Sequence, residues 1–299
     1  MKSVIFIFIA CLLWATDTLI RYPMLEGGLK ASDIVLSEHI ILALIFAPLI
    51  YTRRQKIWKA EVSHIAYFII IGGLGSAMGS LSFTKAFSLL NPSIVILLQK
   101  LQPLVAISLA SIVLKEKIKK EFIYWALLCL VGGLMVSYND IFPELQNMVF
   151  SADSSDSRAL TGLLLTLFAV FAWGAATPFG KKLSKEGYKS EEIMAGRFLM
   201  GMLCLLPFFN SDKIILDTDL DHWMKIIGLV LLSGVLGMYF YYKGLKNISA
   251  RLCSLAEMFF PFCAVSINWL FLDATLSPVQ ICGGALLLIG STVVQLKHY

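Results

Sequence analysis

The chain is a series of apolar stretches of about 20 residues, each long enough to cross a bilayer as a helix. A lipid-exposed backbone must satisfy its own hydrogen bonds, and the alternating pattern of a membrane barrel is absent, so these stretches predict helices. The expected spans are 3–22, 34–51, 64–86, 92–113, 121–138, 160–181, 191–209, 223–243, 250–271 and 278–296. We therefore expect an all-α integral membrane protein with ten transmembrane helices and no room for a soluble domain.

Composition agrees with a membrane protein and argues against other classes. Charged residues make up 15% of the chain and hydrophobic residues 58%, whereas a soluble domain carries about 25% charged residues. The net charge of +5 comes from short basic clusters between apolar stretches, so it does not indicate nucleic-acid binding. The six cysteines lie in apolar runs without a C-x-x-C pair. They predict packing residues, with no disulfide, metal or cofactor site.

The basic residues also predict the orientation of the chain. Twelve of the 25 Lys and Arg residues lie in three loops that would share one side of the membrane. These residues are Arg53, Arg54, Lys56, Lys59, Lys115, Lys117, Lys119, Lys120, Lys181, Lys182, Lys185 and Lys189. By the positive-inside rule, both termini should face the cytoplasm of a bacterial-type inner (plasma) membrane.

The two halves of the chain repeat. Trp14 matches Trp173 at a spacing of 159 residues, and Pro103 matches Pro261 at a spacing of 158. Because each copy has five spans, an odd number, the second copy must be inverted relative to the first. Inverted repeats are typical of secondary transporters, whose site lies near the midplane between the halves.

This repeat defines the expected domains. The first five-helix repeat would cover residues 1–140 and the second would cover 159–299, joined by an external linker at 141–158. A central cavity is expected between the two repeats.

The repeated residues resemble the EamA type of the drug/metabolite transporter superfamily. The resemblance covers nearly the whole chain. It rests on a tryptophan in the first helix, a proline in the fourth helix, a Leu-x-Glu ending of the fourth helix and an arginine early in the second helix. The matching residues are Trp14, Trp173, Pro103, Pro261, Glu116 and Arg197.

The chain departs from the family pattern in two places. Glu38 stands where the first copy should have an arginine, and the second copy lacks the glutamate after its fourth helix. The resemblance implies export of amino acids or other metabolites through a central cavity lined by the first, third and fourth helices and their partners.

Charged residues inside the spans are the candidates for function, because each costs roughly 2.5–3.5 kcal/mol at a helix centre unless it is paired or hydrated. They are Asp17, Glu38, Lys85, Lys100, Arg197, Lys243 and Glu257. Lys85 and Lys243 lie near the helix ends, where snorkelling explains them.

Asp17 shares a helical face with Trp14 and Arg21. It forms either a local ion pair with Arg21 or a proton or cation site beside an aromatic wall. Glu38 and His39 are further candidates for proton coupling, with Asp17. The alternatives are that Glu38 pairs with its repeat counterpart Arg197 and that His39 has a packing role.

Lys100 lies between Gln99 and Gln102, one turn before Pro103, where a helix can kink. We expect Lys100 to bind a substrate carboxylate, with Gln99 or Gln102 hydrogen-bonding nearby. The alternative is a buried ion pair with Glu38 or Glu257. Glu257 occupies the repeat position of Gln99 and could hold an ammonium group. The expected substrate-binding residues are therefore Trp14, Asp17, Gln99, Lys100, Gln102, Trp173 and Glu257.

These features predict a secondary transporter of a small polar metabolite, with an amino acid or related zwitterion as the first choice and export as the direction. An organic anion or a lipophilic cation stays open as the solute, and so does proton coupling. A lipid-modifying membrane enzyme is disfavoured because the four histidines are scattered. A channel is disfavoured because no filter-like repeat is present. The partners are the solute and the bilayer, and a homodimer is compatible with this plan.

Overall fold

The structure is a computed structural model, which describes residues 2–53, 61–90, 95, 98–136, 138, 157–208, 220–271 and 277–297. All regular structure in these residues is helical. The helices are α1 (Lys2–Glu26), α2 (Ala31–Thr52), α3 (Val62–Ala86), α4 (Gln102–Val113), α5 (Lys120–Val136), α6 (Ser157–Lys185), α7 (Ser190–Leu205), α8 (Leu220–Leu245), α9 (Ala250–Glu257), α10 (Phe260–Phe271) and α11 (Pro278–Leu296).

Among the described residues, five helices are long and apolar enough to cross a membrane, namely α1, α2, α3, α6 and α8. Helices α4 and α11 are shorter apolar helices. Three predicted features lie outside the described residues. They are the start of the expected fourth span, most of the linker at 141–158, and the basic residues Arg54, Lys56 and Lys59.

Two long helices contain a wider π-helical segment. The segment in α3 is Ile69–Met78 and the segment in α8 is Val230–Gly237, so the two overlap when they are compared at the repeat spacing of 158 residues. Such segments are uncommon and often occur at functional sites.

The helices are also interrupted at matching places. Lys100 and Leu101 separate the helical residues 98–99 from α4, and Met258 and Phe259 separate α9 from α10. Each interruption lies shortly before a proline, whose ring excludes the carbonyl of an earlier turn. A proline is accepted in the first turn of the next helix, and Pro103 takes that place in α4. The sequence predicted a kink near Pro103, and the structure has a two-residue turn there, at Lys100 and Leu101.

The first helix of each half packs against helices of the other half. Helix α1 contacts α8, α9 and α10, whereas α6 contacts α3 and α4. A Cβ atom added at Gly237 would lie 2.7 Å from Trp14 Nε1, and one at Gly79 would lie 3.0 Å from Trp173 Nε1. These glycines allow the tryptophans to lie directly on the facing helix. The facing helices therefore approach each other closely at these two glycines.

Polar contacts tie the helices together at one end of the bundle. Lys181, near the end of α6, donates to the carbonyls of Leu245 and Lys246 at 2.8 and 2.7 Å. Arg53 Nε lies 3.6 Å from a carboxylate oxygen of Glu192. Four helix ends therefore meet at one end of the bundle, which we call the tied end. They are the end of α2, the end of α6, the start of α7 and the end of α8.

Four of the six cysteines follow the packing interpretation, whereas Cys204 is only partly buried and Cys282 is exposed. All six are free thiols, and Cys11, Cys129, Cys253 and Cys263 are buried. The Cys11 thiol lies 3.8 and 3.7 Å from the carbonyls of Ala256 and Glu257, at the end of α9. It therefore partners carbonyl groups at the helix break.

Candidate solute-binding site

A cavity of about 470 Å³ lies between the two halves of the bundle. Sites for small molecules usually enclose about 300–1,000 Å³. The lining includes Asp17, Arg21 and Tyr22 near the end of α1, and Phe83 and Phe87 at the end of α3. The cavity therefore extends toward the end of the bundle opposite the tied end.

The structure brings nearly all of the predicted site residues to this cavity. Its lining includes Trp14, Asp17, Glu38, His39, Gln99, Lys100, Gln102, Pro103, Trp173, Arg197 and Glu257. Glu116 does not line it, and the side chain of Pro261 is outside the described part of the chain. Placement at one cavity makes these residues candidates, and their individual roles stay predictions.

Arg21 joins two carboxylates from different helices. Its Nε and Nη2 donate to Asp17 at 2.6 and 2.9 Å, and its Nη1 and Nη2 donate to Glu38 at 3.0 and 2.8 Å. The predicted local pair of Asp17 with Arg21 is confirmed, and Glu38 joins it. The alternative pairing of Glu38 with Arg197 is wrong, because Arg21 extends from α1 toward α2 and occupies both oxygens of Glu38. We call Asp17, Arg21 and Glu38 the Arg21 triad.

His39 is buried and bonded through both ring nitrogens. Nδ1 lies 2.7 Å from the carbonyl of Val35, and Nε2 lies 3.0 Å from Ser76 Oγ. A carbonyl only accepts, so Nδ1 carries a hydrogen and Nε2 of the neutral ring accepts from the Ser76 hydroxyl. These bonds tie α2 to the π-helical segment of α3, as the packing interpretation of His39 predicts.

Lys100 lines the cavity without a carboxylate partner among the described residues. Its side chain is 4% exposed, and its Nζ lies 5.7 Å from the centre of the Phe260 ring. The alternative pairing with Glu38 or Glu257 is wrong, because the first binds Arg21 and the second has other donors.

Glu257 accepts from neutral side chains. Gln102 Nε2 donates to it at 2.9 Å, and the Cys253 thiol lies 3.5 Å from its other oxygen. The Tyr241 hydroxyl, which also lines the cavity, lies 2.8 Å from Thr177 Oγ1. The residues around both helix breaks therefore meet at Glu257.

Arg197 is the second buried cation of the cavity, with an exposure of 4%. Its Nη1 donates to the hydroxyl of Tyr242 at 3.1 Å. Its Nε is buried and has no hydrogen-bond partner in the described part of the chain, and the same holds for Gln99 Oε1. We call Lys100 and Arg197 the interior cations.

Two aromatic pairs line the cavity at matching positions of the repeat. Trp14 lies 5.4 Å from Tyr241, and Trp173 lies 4.7 Å from Phe83, measured between ring centres. Tyr241 and Phe83 are 158 residues apart. The cavity therefore offers apolar ring faces as well as charged and amide groups.

Sequence reasoning missed the partner of Glu116. This carboxylate accepts from the backbone nitrogens of Ala250 and Arg251 at 3.1 and 3.4 Å and from Arg251 Nε at 3.0 Å. The carboxylate thus binds the first backbone amides of α9, which cannot bond within the helix, and lies at the positive end of the helix dipole. Ser249, whose hydroxyl accepts from Leu252 N at 3.2 Å, is an N-cap and was the available signal for this helix start.

The model of the EamA-like transporter family matches residues 1–138 and 160–296. This chain belongs to that family. The resemblance expected from the sequence is confirmed. The chain is a multi-pass membrane protein, and it is a small-molecule transporter rather than an enzyme.

Similar proteins carry transporter names. Riboflavin transporter ImpX of Fusobacterium nucleatum subsp. nucleatum is 30% identical over 296 residues, which are 96% of this chain and 95% of that protein. Pseudopaline exporter CntI of Pseudomonas aeruginosa is 26% identical over 265 residues, covering 88% of this chain and 86% of that protein. One solved crystal structure has a TM-score of 0.72 at 16% identity, covering 98% of this chain and 97% of its own, so the folds are similar.

Proposed function

We propose that this EamA-family member is a secondary transporter, which binds a small polar metabolite in the cavity and exposes it alternately to each side of the membrane. The observation that carries this proposal is the cavity between the halves, lined at both helix breaks by charged and amide side chains. Interrupted helices at a midplane site are typical of secondary transporters.

The proposed architecture is ten transmembrane helices in two inverted repeats, residues 1–140 and 159–299, with an external linker at 141–158. Three features support it: overlapping π-helical segments, helix breaks at matching positions and reciprocal contacts between tryptophan and glycine. The two separate segments that match the family model also favour it.

The proposed orientation places the tied end and both termini in the cytoplasm of an inner membrane, because the basic clusters belong to that end. Single cysteines introduced by Lys117→Cys and Lys30→Cys in a cysteine-free chain test it. In intact cells, a membrane-impermeant maleimide should label the second position and not the first. The reverse pattern would contradict the orientation, and equal labelling would contradict the inverted plan.

Riboflavin is the first solute to test. The aromatic pairs of Trp14 with Tyr241 and Trp173 with Phe83 offer ring faces for a planar heterocycle, and aromatic contacts of this kind favour such rings. The 30%-identical relative is named for riboflavin.

An amino acid or related zwitterion is the second candidate, favoured by a different observation. Glu257 and the interior cations line the same cavity, so an ammonium group and a carboxylate could each meet an opposite charge. Trp14, Asp17, Gln99, Lys100, Gln102, Trp173 and Glu257 are the proposed solute contacts.

Proton coupling is proposed at the Arg21 triad. One guanidinium faces two carboxylates, so Asp17 or Glu38 has a surplus negative charge that a proton could neutralise. His39 is the weaker candidate, since both of its ring nitrogens hold structural bonds.

Reconstituted vesicles test the function directly. Radiolabelled riboflavin and a panel of amino acids are offered on either side, with and without a pH gradient, to learn the solute and whether transport is export. The matched control is Lys85→Gln, which removes an exposed helical lysine away from the cavity. Solute movement no faster than in protein-free vesicles would contradict the proposal for that solute. Currents far above carrier turnover would indicate a channel. Cross-linking of the reconstituted protein would test a homodimer.

A further inference from the structure

The interior cations form no ion pair in the described part of the chain, although three carboxylates line the same cavity. Two of these carboxylates, Asp17 and Glu38, bind Arg21. The third, Glu257, forms its hydrogen bonds with neutral groups. The described lining therefore has three acids and three bases, but none of the acids is hydrogen-bonded to Lys100 or Arg197.

The contacts that these cations do make are weak substitutes for an anion. The face of Phe260 attracts the Lys100 ammonium, and Tyr242 accepts one hydrogen bond from Arg197. Arg197 Nε has no acceptor among the described residues. A buried charge normally has a partner, because its lost hydration is not restored by the protein interior.

We propose that Lys100 and Arg197 form a subsite for an anionic group of the solute, a carboxylate or a phosphate. This inference rests on the proposed function, because it assumes that the cavity is the solute site. Anions bound by buried cations form short, charge-assisted hydrogen bonds, and the planar guanidinium of arginine can hold two oxygens at once. The aromatic pairs would receive the remainder of the solute.

The subsite predicts which of two related solutes binds more tightly. Among molecules with the same ring system, the one with a carboxylate or phosphate should bind more tightly than its neutral counterpart. Riboflavin and its 5′-phosphate form such a pair, and so do phenylacetate and phenylacetamide. The first pair tests a phosphate and the second tests a carboxylate.

The test is equilibrium binding of these four compounds to the purified full chain in lipid nanodiscs, with the dissociation constants measured by calorimetry. In at least one pair, the anionic member should bind about tenfold or more tightly, because a buried charge pair is being completed. Lys100→Gln and Arg197→Gln should each remove most of that preference, measured as the ratio of the two dissociation constants of a pair. Lys100→Arg should retain the preference, and the control Lys85→Gln should leave both constants unchanged.

Several results would overturn the subsite. Equal binding of both members in each pair would do so, as would a preference that survives both glutamine variants. A helical circular dichroism spectrum equal to that of the unchanged protein shows that a variant is folded, and Arg197→Gln replaces Lys100→Gln if the latter does not fold. Transport of neutral riboflavin without any preference for anions would remove the subsite and keep the proposed function. Failure of every panel solute to move would remove the proposed function itself.

Discussion

The cavity contains two groups of charged residues: those of one group form ion pairs within the protein, and those of the other do not. In the Arg21 triad, both carboxylates bind the same guanidinium, and all four bonds are 2.6–3.0 Å long. The interior cations are also buried, yet neither forms an ion pair within the described residues. Glu38 and Arg197 occupy equivalent positions of the repeat, 159 residues apart. Among the described residues, the same place therefore carries an acid with an ion-pair partner in one half and a base without one in the other.

This difference separates structural charges from charges kept for a ligand. A charge that the fold neutralises contributes to holding two helices together, here α1 and α2. A charge that the fold leaves without a counter-ion raises the free energy of the empty protein and lowers it again when an anion binds. Four substitutions test this difference.

The largest effect is expected for Arg21→Met. It would leave Asp17 and Glu38 facing each other without their cation, and breaking a buried ion pair in this way costs about 3–5 kcal/mol. The free energy of unfolding, measured by denaturant titration in mixed micelles, should fall by that amount. The matched control is Arg53→Met, whose side chain is 50% exposed and whose loss should cost about 0.5 kcal/mol. Equal losses in the two variants would show that the triad is not structural.

A smaller loss is expected for Glu116→Gln at the tied end. This glutamate pairs with Arg251 and also binds the amides at the start of α9, so its neutral replacement should cost about 2 kcal/mol. The same titration measures it, with the exposed Lys117→Gln as the neighbouring control. If both variants unfold alike, the contact does not stabilise the fold.

Asp17→Asn should have a smaller effect still, a loss of about 1 kcal/mol. The substitution removes one of two carboxylates, so Arg21 and Glu38 remain as a balanced pair. Denaturant titration of both variants compares the stability lost with one carboxylate, in Asp17→Asn, with the stability lost with the shared guanidinium, in Arg21→Met. A loss as large as that of the arginine variant would mean that Glu38 alone cannot neutralise Arg21.

The smallest change, and one of opposite sign, is expected for Lys100→Met. Removing a buried charge without a counter-ion should leave the free energy of unfolding of the solute-free protein unchanged or raise it by about 1 kcal/mol. The control is Lys243→Met, because Lys243 donates to Tyr239 at 3.3 Å and lies over Phe6. A large loss of stability in Lys100→Met would show that this lysine has a structural partner after all.

Much of the helical plan was readable from the sequence. The last span, expected at 278–296, coincides with α11 (Pro278–Leu296), and the first is longer than expected by only a few residues. Hydropathy predicts such segments because each helix meets lipid along its own length. The span expected at 250–271 is divided at Met258 and Phe259, and Pro261 lies at the start of the helix that follows, a place that prolines favour.

The family, the helical class and most of the charged residues at the cavity could be read from the amino-acid sequence, because burial of a charge in an apolar span is a local property. Arg21 was not among the expected cavity residues, although it lines the cavity. The ion-pair partners followed only from the three-dimensional arrangement of the helices. Glu38 meets Arg21 instead of Arg197, and Glu116 meets Arg251, because ion pairs depend on which helices face each other across long separations in the chain. That Lys100 and Arg197 form no ion pair among the described residues became visible only once the partners of Asp17, Glu38 and Glu257 were known.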